Sequence, residues 1–222
     1  MINLTNNNLL PKPIRALLLL SAFCSLMIII NYLRTSNITY FFLGWNLLLA
    51  WIPLVIAHVW HMKAQRKQTL IVWKSVIYFG LWLLFFPNSP YIITDLIHLN
   101  NRYTPSLWSD VLLIFSCAFA GLIVGVYSLI KIQKILSLYF NKLTNMLIVS
   151  ASLIMTGFGI YLGRIKRWNS WDLFTNPVAL ISDSFDQLFN PQAIRMTLGF
   201  SLLLFIVYYI LQSIISHESS QK

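Results

Sequence analysis

The chain has 222 residues, of which 58% are hydrophobic and only 10% charged, with a net charge of +10. A soluble domain carries about 25% charged residues, so most of this chain is matched to hydrocarbon, and counting soluble domains by length does not apply. The Lys and Arg residues fall mostly in short segments between apolar runs, a pattern of membrane orientation and contact with anionic lipid that argues against nucleic acid as a partner.

A helix needs about 20 mainly apolar residues to cross a bilayer. Six runs meet or approach that length: Ala16–Tyr32, Phe41–Trp60, Leu70–Phe86, Ser109–Lys131, Leu143–Leu162 and Met196–Ile215. The expected fold is therefore all-α, a polytopic transmembrane bundle of about six spans forming one integral membrane domain over 1–222, with short interfacial helices on its outer face. The first run lacks a small-residue cleavage pattern and reads as a retained span. Cys24 and Cys117 sit inside apolar runs without metal-type spacing, and read as buried small hydrophobes.

Charge sets the expected orientation. With the N-terminus inside, the inner segments hold Lys12, Arg15, Lys63, Arg66, Lys67, Lys74, Lys131, Lys134, Lys142 and Lys222 against the single acid Glu218. The outer segments hold Arg34, Arg102, Arg164, Lys166, Arg167 and Arg195 against Asp95, Asp110, Asp172, Asp183 and Asp186. Ten basic residues against six predict both termini in the cytoplasm. Two G-x-x-x-G pairs, Gly121/Gly125 and Gly159/Gly163, allow close backbone approach in lipid. Asn46, His58 and Lys74 are the sparse polar residues within spans, and read as interhelical hydrogen bonding and snorkelling.

The third run ends in Pro87-Asn88-Ser89-Pro90, where proline cannot continue a helix interior. Ser89 is placed to cap a new short helix with Pro90 at its first position. At about 100° per residue, Tyr91, Thr94, Asp95 and His98 share one narrow arc of that helix, and isoleucines and leucines fill the remainder. Asp95 and His98, three apart, are within reach of each other for acid/base work. Two such groups do not make a metal site, and no metal or cofactor is expected.

The fifth run ends in Gly163-Arg164-Ile-Lys166-Arg167-Trp168-Asn169-Ser170-Trp171-Asp172. Three cations cluster on the side that should be poor in them, which is tolerable if they are paired with acids or hold an anion. A continued helix would give Arg164, Arg167 and Trp168 one face, with Asp95, Asp172 or a lipid phosphate as partners. Trp168 and Trp171 read as interfacial anchors, and Asn169 or Ser170 as a cap with Asp172 in the first turn that follows. Trp171 to Phe189 reads as a surface-lying or re-entrant element. The candidate site joins Asp95 and His98 in catalytic roles to Asn88, Tyr91, Thr94, Arg164, Arg167, Trp168, Asn169, Trp171 and Asp172 in substrate binding.

These two strings resemble an uncharacterised bacterial membrane family, domain-of-unknown-function family 1361. Its members are similar in carrying a P-N-x-P-Y-x-x-T-D-x-x-H-L segment and a later G-R-x-x-R-W-N-S-W-D segment. The resemblance covers nearly the whole chain and implies a multi-span protein of the bacterial plasma membrane; it supplies no activity. Three functions stay open: an enzyme acting at the outer face on an anionic lipid-linked substrate, a non-catalytic accessory or assembly protein, and, behind both, a transporter component. The lipid bilayer is the one partner the sequence implies directly, with an anionic lipid or lipid-linked substrate as a candidate and protein partners unspecified.

Overall fold

The computed structural model of the protein describes residues 11–65, 72–99 and 107–220, with side chains except at 65, 72 and 216–220. The expected start of the third span at Leu70, and the side chains of Arg66, Lys67, Arg102, Glu218 and Lys222 from the charge count, lie outside the described residues. All regular structure among the described residues is helical. Among the described residues six segments are long and apolar enough to cross a membrane, as the hydrophobic runs predict.

These are α1 (Lys12–Thr35), α2 (Phe41–Gln65), α3 (Val72–Phe85) with its continuation to Leu99, α5 (Leu107–Leu136), α6 (Lys142–Tyr161) and α9 (Pro191–Ser220). Short helices α4 (Asn88–Tyr91), α7 (Asp172–Thr175) and α8 (Pro177–Gln187) complete the order. Most of the spanning helices outrun their apolar windows. Residues such as Lys12, Arg34 and Lys63 continue a helix without belonging to hydrocarbon, so hydropathy marks membrane depth rather than helix ends.

α5 is the axis of the bundle: 72% of its most apolar window is buried, against 17% for α1 and α9. One core cluster joins Trp82 and Phe86 of the third span to Val126, Leu129 and Ile132 of α5 and Leu204 of α9. Trp82 is fully buried, stacks on Phe86 with ring centroids 4.5 Å apart, and donates its indole N–H to Ser128 Oγ at 3.1 Å. A second cluster joins α1, α2 and α5 and contains both cysteines, buried and free, their thiols within hydrogen-bonding reach of each other.

The third span breaks at Pro87, and the break is held in a cradle of glycines. A Cβ on Gly121 would come within 2.5 Å of the Ser89 carbonyl oxygen, and one on Gly125 within 2.6 Å of Ser89 Cβ. From the α6 side, a Cβ on Gly159 would lie 2.8 Å from Pro87 Cγ, and one on Gly163 would lie 3.1 Å from the Tyr91 ring. Both G-x-x-x-G pairs therefore admit this turn, a use that spacing alone does not reveal. Ser89 departs from its expected capping role. The helical turn already begins at Asn88 without a side-chain cap, and the buried Ser89 hydroxyl donates instead to the Ala50 carbonyl of α2 at 2.8 Å.

Overfilling such a contact costs about 1–3 kcal/mol. Gly121→Ala is accordingly expected to lower stability by that amount in reversible detergent unfolding. Gly80→Ala, where an added Cβ meets nothing within 4 Å, should be neutral or slightly stabilising. Equal stability of the two variants would contradict the cradle.

Candidate functional site

After α4 the chain continues as a 3₁₀ helix, Ile92–Leu99, where an α-helix is expected from the sequence. Residues three apart eclipse in a 3₁₀ helix, so Ile92, Asp95 and His98 form one column. Ile92 and Asp95 are buried, while His98, at the free end, is exposed and sets its ring edgewise against Phe42 at 5.2 Å. No hydrogen bond joins Asp95 to His98. The Asp95 carboxylate is instead held from two other helices: Asn46 Nδ2 of α2 donates to Oδ2 at 2.9 Å, and the Arg164 guanidinium pairs with Oδ1.

Arg164 reaches Asp95 because α6 ends in a wide π turn, Leu162–Lys166. Its Nε donates to Thr94 Oγ1 at 2.7 Å, and its guanidinium lies 4.9 Å above the centre of the Tyr91 ring. The Thr94 hydroxyl donates its own proton to the Tyr91 carbonyl at 2.6 Å, which leaves an oxygen lone pair for Arg164. Tyr91, Thr94, Asp95 and Arg164 thus meet in the structure. Asn46 belongs with them, although its sequence signal was only that of an isolated asparagine in a span.

Arg167 does not share the face expected for it. The π turn and a left-handed backbone at Arg167, φ 62°, separate it from Arg164 and leave its side chain exposed. Among the described residues Arg167 makes no ion pair. Lys166 pairs with Asp183 of α8 at 2.9 Å, and Trp168 Nε1 donates to the other oxygen of the same carboxylate at 2.7 Å. Hydrogen bonds from Trp168 and Lys166 hold the Asp183 carboxyl below its ordinary pKa, and the bond to Asp183 holds Lys166 above its own. Asp172, a candidate partner for the arginines, accepts the Asn169 backbone N–H at 2.7 Å and so closes the loop before α7.

Asn88 ties the two strings together. Its amide donates to the Phe85 carbonyl at 3.0 Å and to Ser170 Oγ at 2.9 Å, while the Ser170 hydroxyl donates to the Leu84 carbonyl at 2.9 Å. Backbone acceptors beside the Pro87 break thus find donors, Phe85 on Asn88 and Leu84 on Ser170 of the later segment, as water-poor surroundings require.

Beneath this loop lies a cavity of about 750 Å³. Its walls are apolar, from Gly80, Leu83 and Leu84 of α3, Ile154 and Phe158 of α6, and Leu198 of α9. Asn88, Asn169 and Ser170 give it a polar rim, with Tyr91, Trp168 and Trp171 beside them and Asn46 also reaching its wall. Asp95, His98, Arg164 and Arg167 are not among its lining residues. Among the described residues no three His, Cys, Asp or Glu side chains gather as a metal site.

Six apolar spans with α5 the most buried among them, and a broken third span pinned to a loop after the fifth, define a multi-pass helical membrane protein. The chain belongs to the family described as Protein of unknown function (DUF1361), which it matches over residues 45–207, from just before Asn46 to beyond Leu198. No curated protein and no solved structure matches it.

Removing one partner of a buried ion pair costs about 3–5 kcal/mol, because the other charge is left unpaired. Asp95→Leu is expected to destabilise the fold by about 3 kcal/mol, towards the lower figure because Arg164 keeps 20% of its side chain exposed. Asp95→Leu with Arg164→Met should recover part of that loss in a double-mutant cycle; simple additivity would show that the charges do not couple. The Asp183 contacts carry a pH signature. A depressed carboxyl stabilises above its unfolded pKa of about 4 and loses that contribution as pH falls through the lower folded value. The elevated Lys166 amine acts oppositely, losing its contribution only as pH rises beyond its ordinary value of about 10. Stability from this anchor should thus be flat between those limits and decline in acid. Asp183→Asn should remove that acid-linked component of the wild-type unfolding profile.

Proposed function

We propose that this protein binds the chain-bearing end of an anionic lipid or lipid-linked molecule in the cavity between α3, α6 and α9, at the outer face of the membrane. The carrying observation is the cavity of about 750 Å³, with walls from membrane-spanning helices and a polar rim from the Pro87 and Trp168 segments. Pockets that bury most of a ligand are largely apolar with a few placed polar groups, and this cavity has that division between its spanning helices and the Pro87 and Trp168 segments. Acyl or prenyl chain would lie against Leu83, Ile154, Phe158 and Leu198. The head would meet Asn88, Asn169 and Ser170, with Arg167 supplying a cation not already paired among the described residues.

Binding is favoured over acid/base catalysis by Asp95. Its carboxylate is buried, engaged by Arg164 and Asn46, and absent from the cavity wall, which suits a latch that fixes the shape of the site. Arg164 is committed to the same latch, so the phosphate-holding role suggested for both arginines falls to Arg167 alone in this reading. The outer-face placement rests on the positive-inside distribution of Lys and Arg.

Photolabelling tests the proposal, using full-length protein in nanodiscs with phosphatidic acid carrying a tail diazirine. Label is expected on 80–84 and 154–162. Gly80→Phe, which projects a ring into the cavity, should reduce it roughly tenfold, about 1.4 kcal/mol of binding. Arg167→Gln should weaken labelling by phosphatidic acid and leave that by the uncharged diacylglycerol probe unchanged. Label spread along the lipid-facing sides of α1 and α9 and indifferent to Gly80→Phe would overturn the reading.

A further inference from the structure

The opposite end of the bundle holds a second group of polar side chains that plays no part in the loop and cavity described above. α2 and α5 pack through Leu54 and Val124, with Trp51, Ile123 and Tyr127 around them. One helical turn beyond Leu54 α2 carries His58, and one turn beyond Tyr127, two beyond Val124, α5 carries Lys131, where apolar residues would continue this seam. His61 and Lys134 follow three residues later on the same helices.

Lys131 is buried at 9% exposure, an unusual position for a lysine. A lysine at a membrane edge normally extends its amine to water. This one folds over the Tyr127 ring at 5.3 Å, and among the described residues it meets no carboxylate. Its charge acts on both imidazoles, and Lys134 adds another of the same sign. Among the described residues His58 Nδ1 is buried with no hydrogen-bond partner. Carrying the proton there would leave a buried donor unsatisfied, so the favoured tautomer is protonated on Nε2, which becomes the available donor.

A buried ammonium beside two imidazoles and a second lysine is costly unless something negative completes it. The aromatic ring compensates only part, since a cation–π contact contributes about 0.5–2 kcal/mol. We propose that His58, Lys131, His61 and Lys134 form a binding site for a phosphate-bearing anion at the end of the bundle opposite the Pro87 turn. Lys131 and the His58 Nε2–H would donate to the phosphate oxygens, and His61 and Lys134 would lie at its rim. The shared chemistry is a phosphate, carried either by a lipid headgroup or by a soluble ion. This site stands apart from the cavity of the proposed function, and neither depends on the other.

Full-length protein in phosphatidylcholine nanodiscs gives the test. One arm adds millimolar inorganic phosphate; the other replaces part of the lipid with phosphatidylglycerol and omits phosphate. The thermal midpoint should rise in at least one arm, and the arm that responds identifies the source of the phosphate. General stabilisation by phosphate salts acts on every variant alike, so variants carry the assignment. Lys131→Gln should abolish the rise, Lys131→Arg should keep it, and the exposed Lys142→Gln should respond like wild type. His58→Gln should weaken the apparent affinity roughly tenfold, the loss of one charge-assisted hydrogen bond, and decides the matter if Lys131→Gln does not fold. The site is refuted if wild type responds in neither arm, if His58→Gln or a folded Lys131→Gln responds as wild type does, or if Lys142→Gln loses the response as completely as Lys131→Gln.

Discussion

The third span stops being a regular helix at Phe86, and the rest of the protein is arranged round that interruption. Hydrocarbon offers no water to bond carbonyls freed by a break, so non-helical backbone at membrane depth survives only where protein supplies the partners. Here side chains supply them. Asn88 and Ser170 serve the carbonyls of Phe85 and Leu84, Ser89 turns to α2, and four glycines on α5 and α6 open the space the turn needs. Without those glycines the proline turn would stand away from α5 and its donors would be out of reach. Close approach comes first, and the hydrogen bonds depend on it.

The buried pair Asp95–Arg164 is the second consequence of the break. Its net contribution to stability is small in principle, because desolvating two charges offsets most of their attraction. What it supplies is register. Asp95 sits on a 3₁₀ turn, Arg164 on a π turn and Asn46 on an α-helix, and the three meet only if both irregular turns have the observed pitch. An α-helical continuation of either element would rotate its residue away from the others. The pair therefore selects two uncommon backbone conformations over the common one, a role for which an apolar contact has too little directionality.

Much of this was legible in the sequence, and the limits follow from what a single chain displays. The spans were readable because apolar length is a one-dimensional property. The strings around Pro87 and Trp168 stood out because proline, aspartate and a cation cluster break local rules, and such breaks mark places where tertiary structure compensates. Which cation meets which acid was not readable, since it turns on the π turn at Leu162 and the positive φ at Arg167, neither of which has a composition signature. Ser89 illustrates the same limit. Local rules make it a good N-cap, yet a carbonyl on α2 claims its hydroxyl, and no local rule contains α2. The glycine pairs were visible but ambiguous, because spacing tells that something comes close without telling what.

The two ends of the bundle solve the problem of charge differently, and the difference bears on where ligands belong. At the Pro87 end, Asp95 and Asp183 neutralise Arg164 and Lys166, and these pairs are linked to backbone and loop hydrogen bonds. A ligand there would have to displace a protein partner to reach either charge, so what stays open to it is the exposed Arg167, the uncharged rim and the apolar cavity below it. At the Lys131 end the described residues present cations and imidazoles without a carboxylate among them. A ligand there would supply the missing charge itself. Paired charge builds shape, and unpaired buried charge calls for a counterion. On that physical distinction the cavity suits the apolar part of an amphiphile, while the opposite end suits an anion.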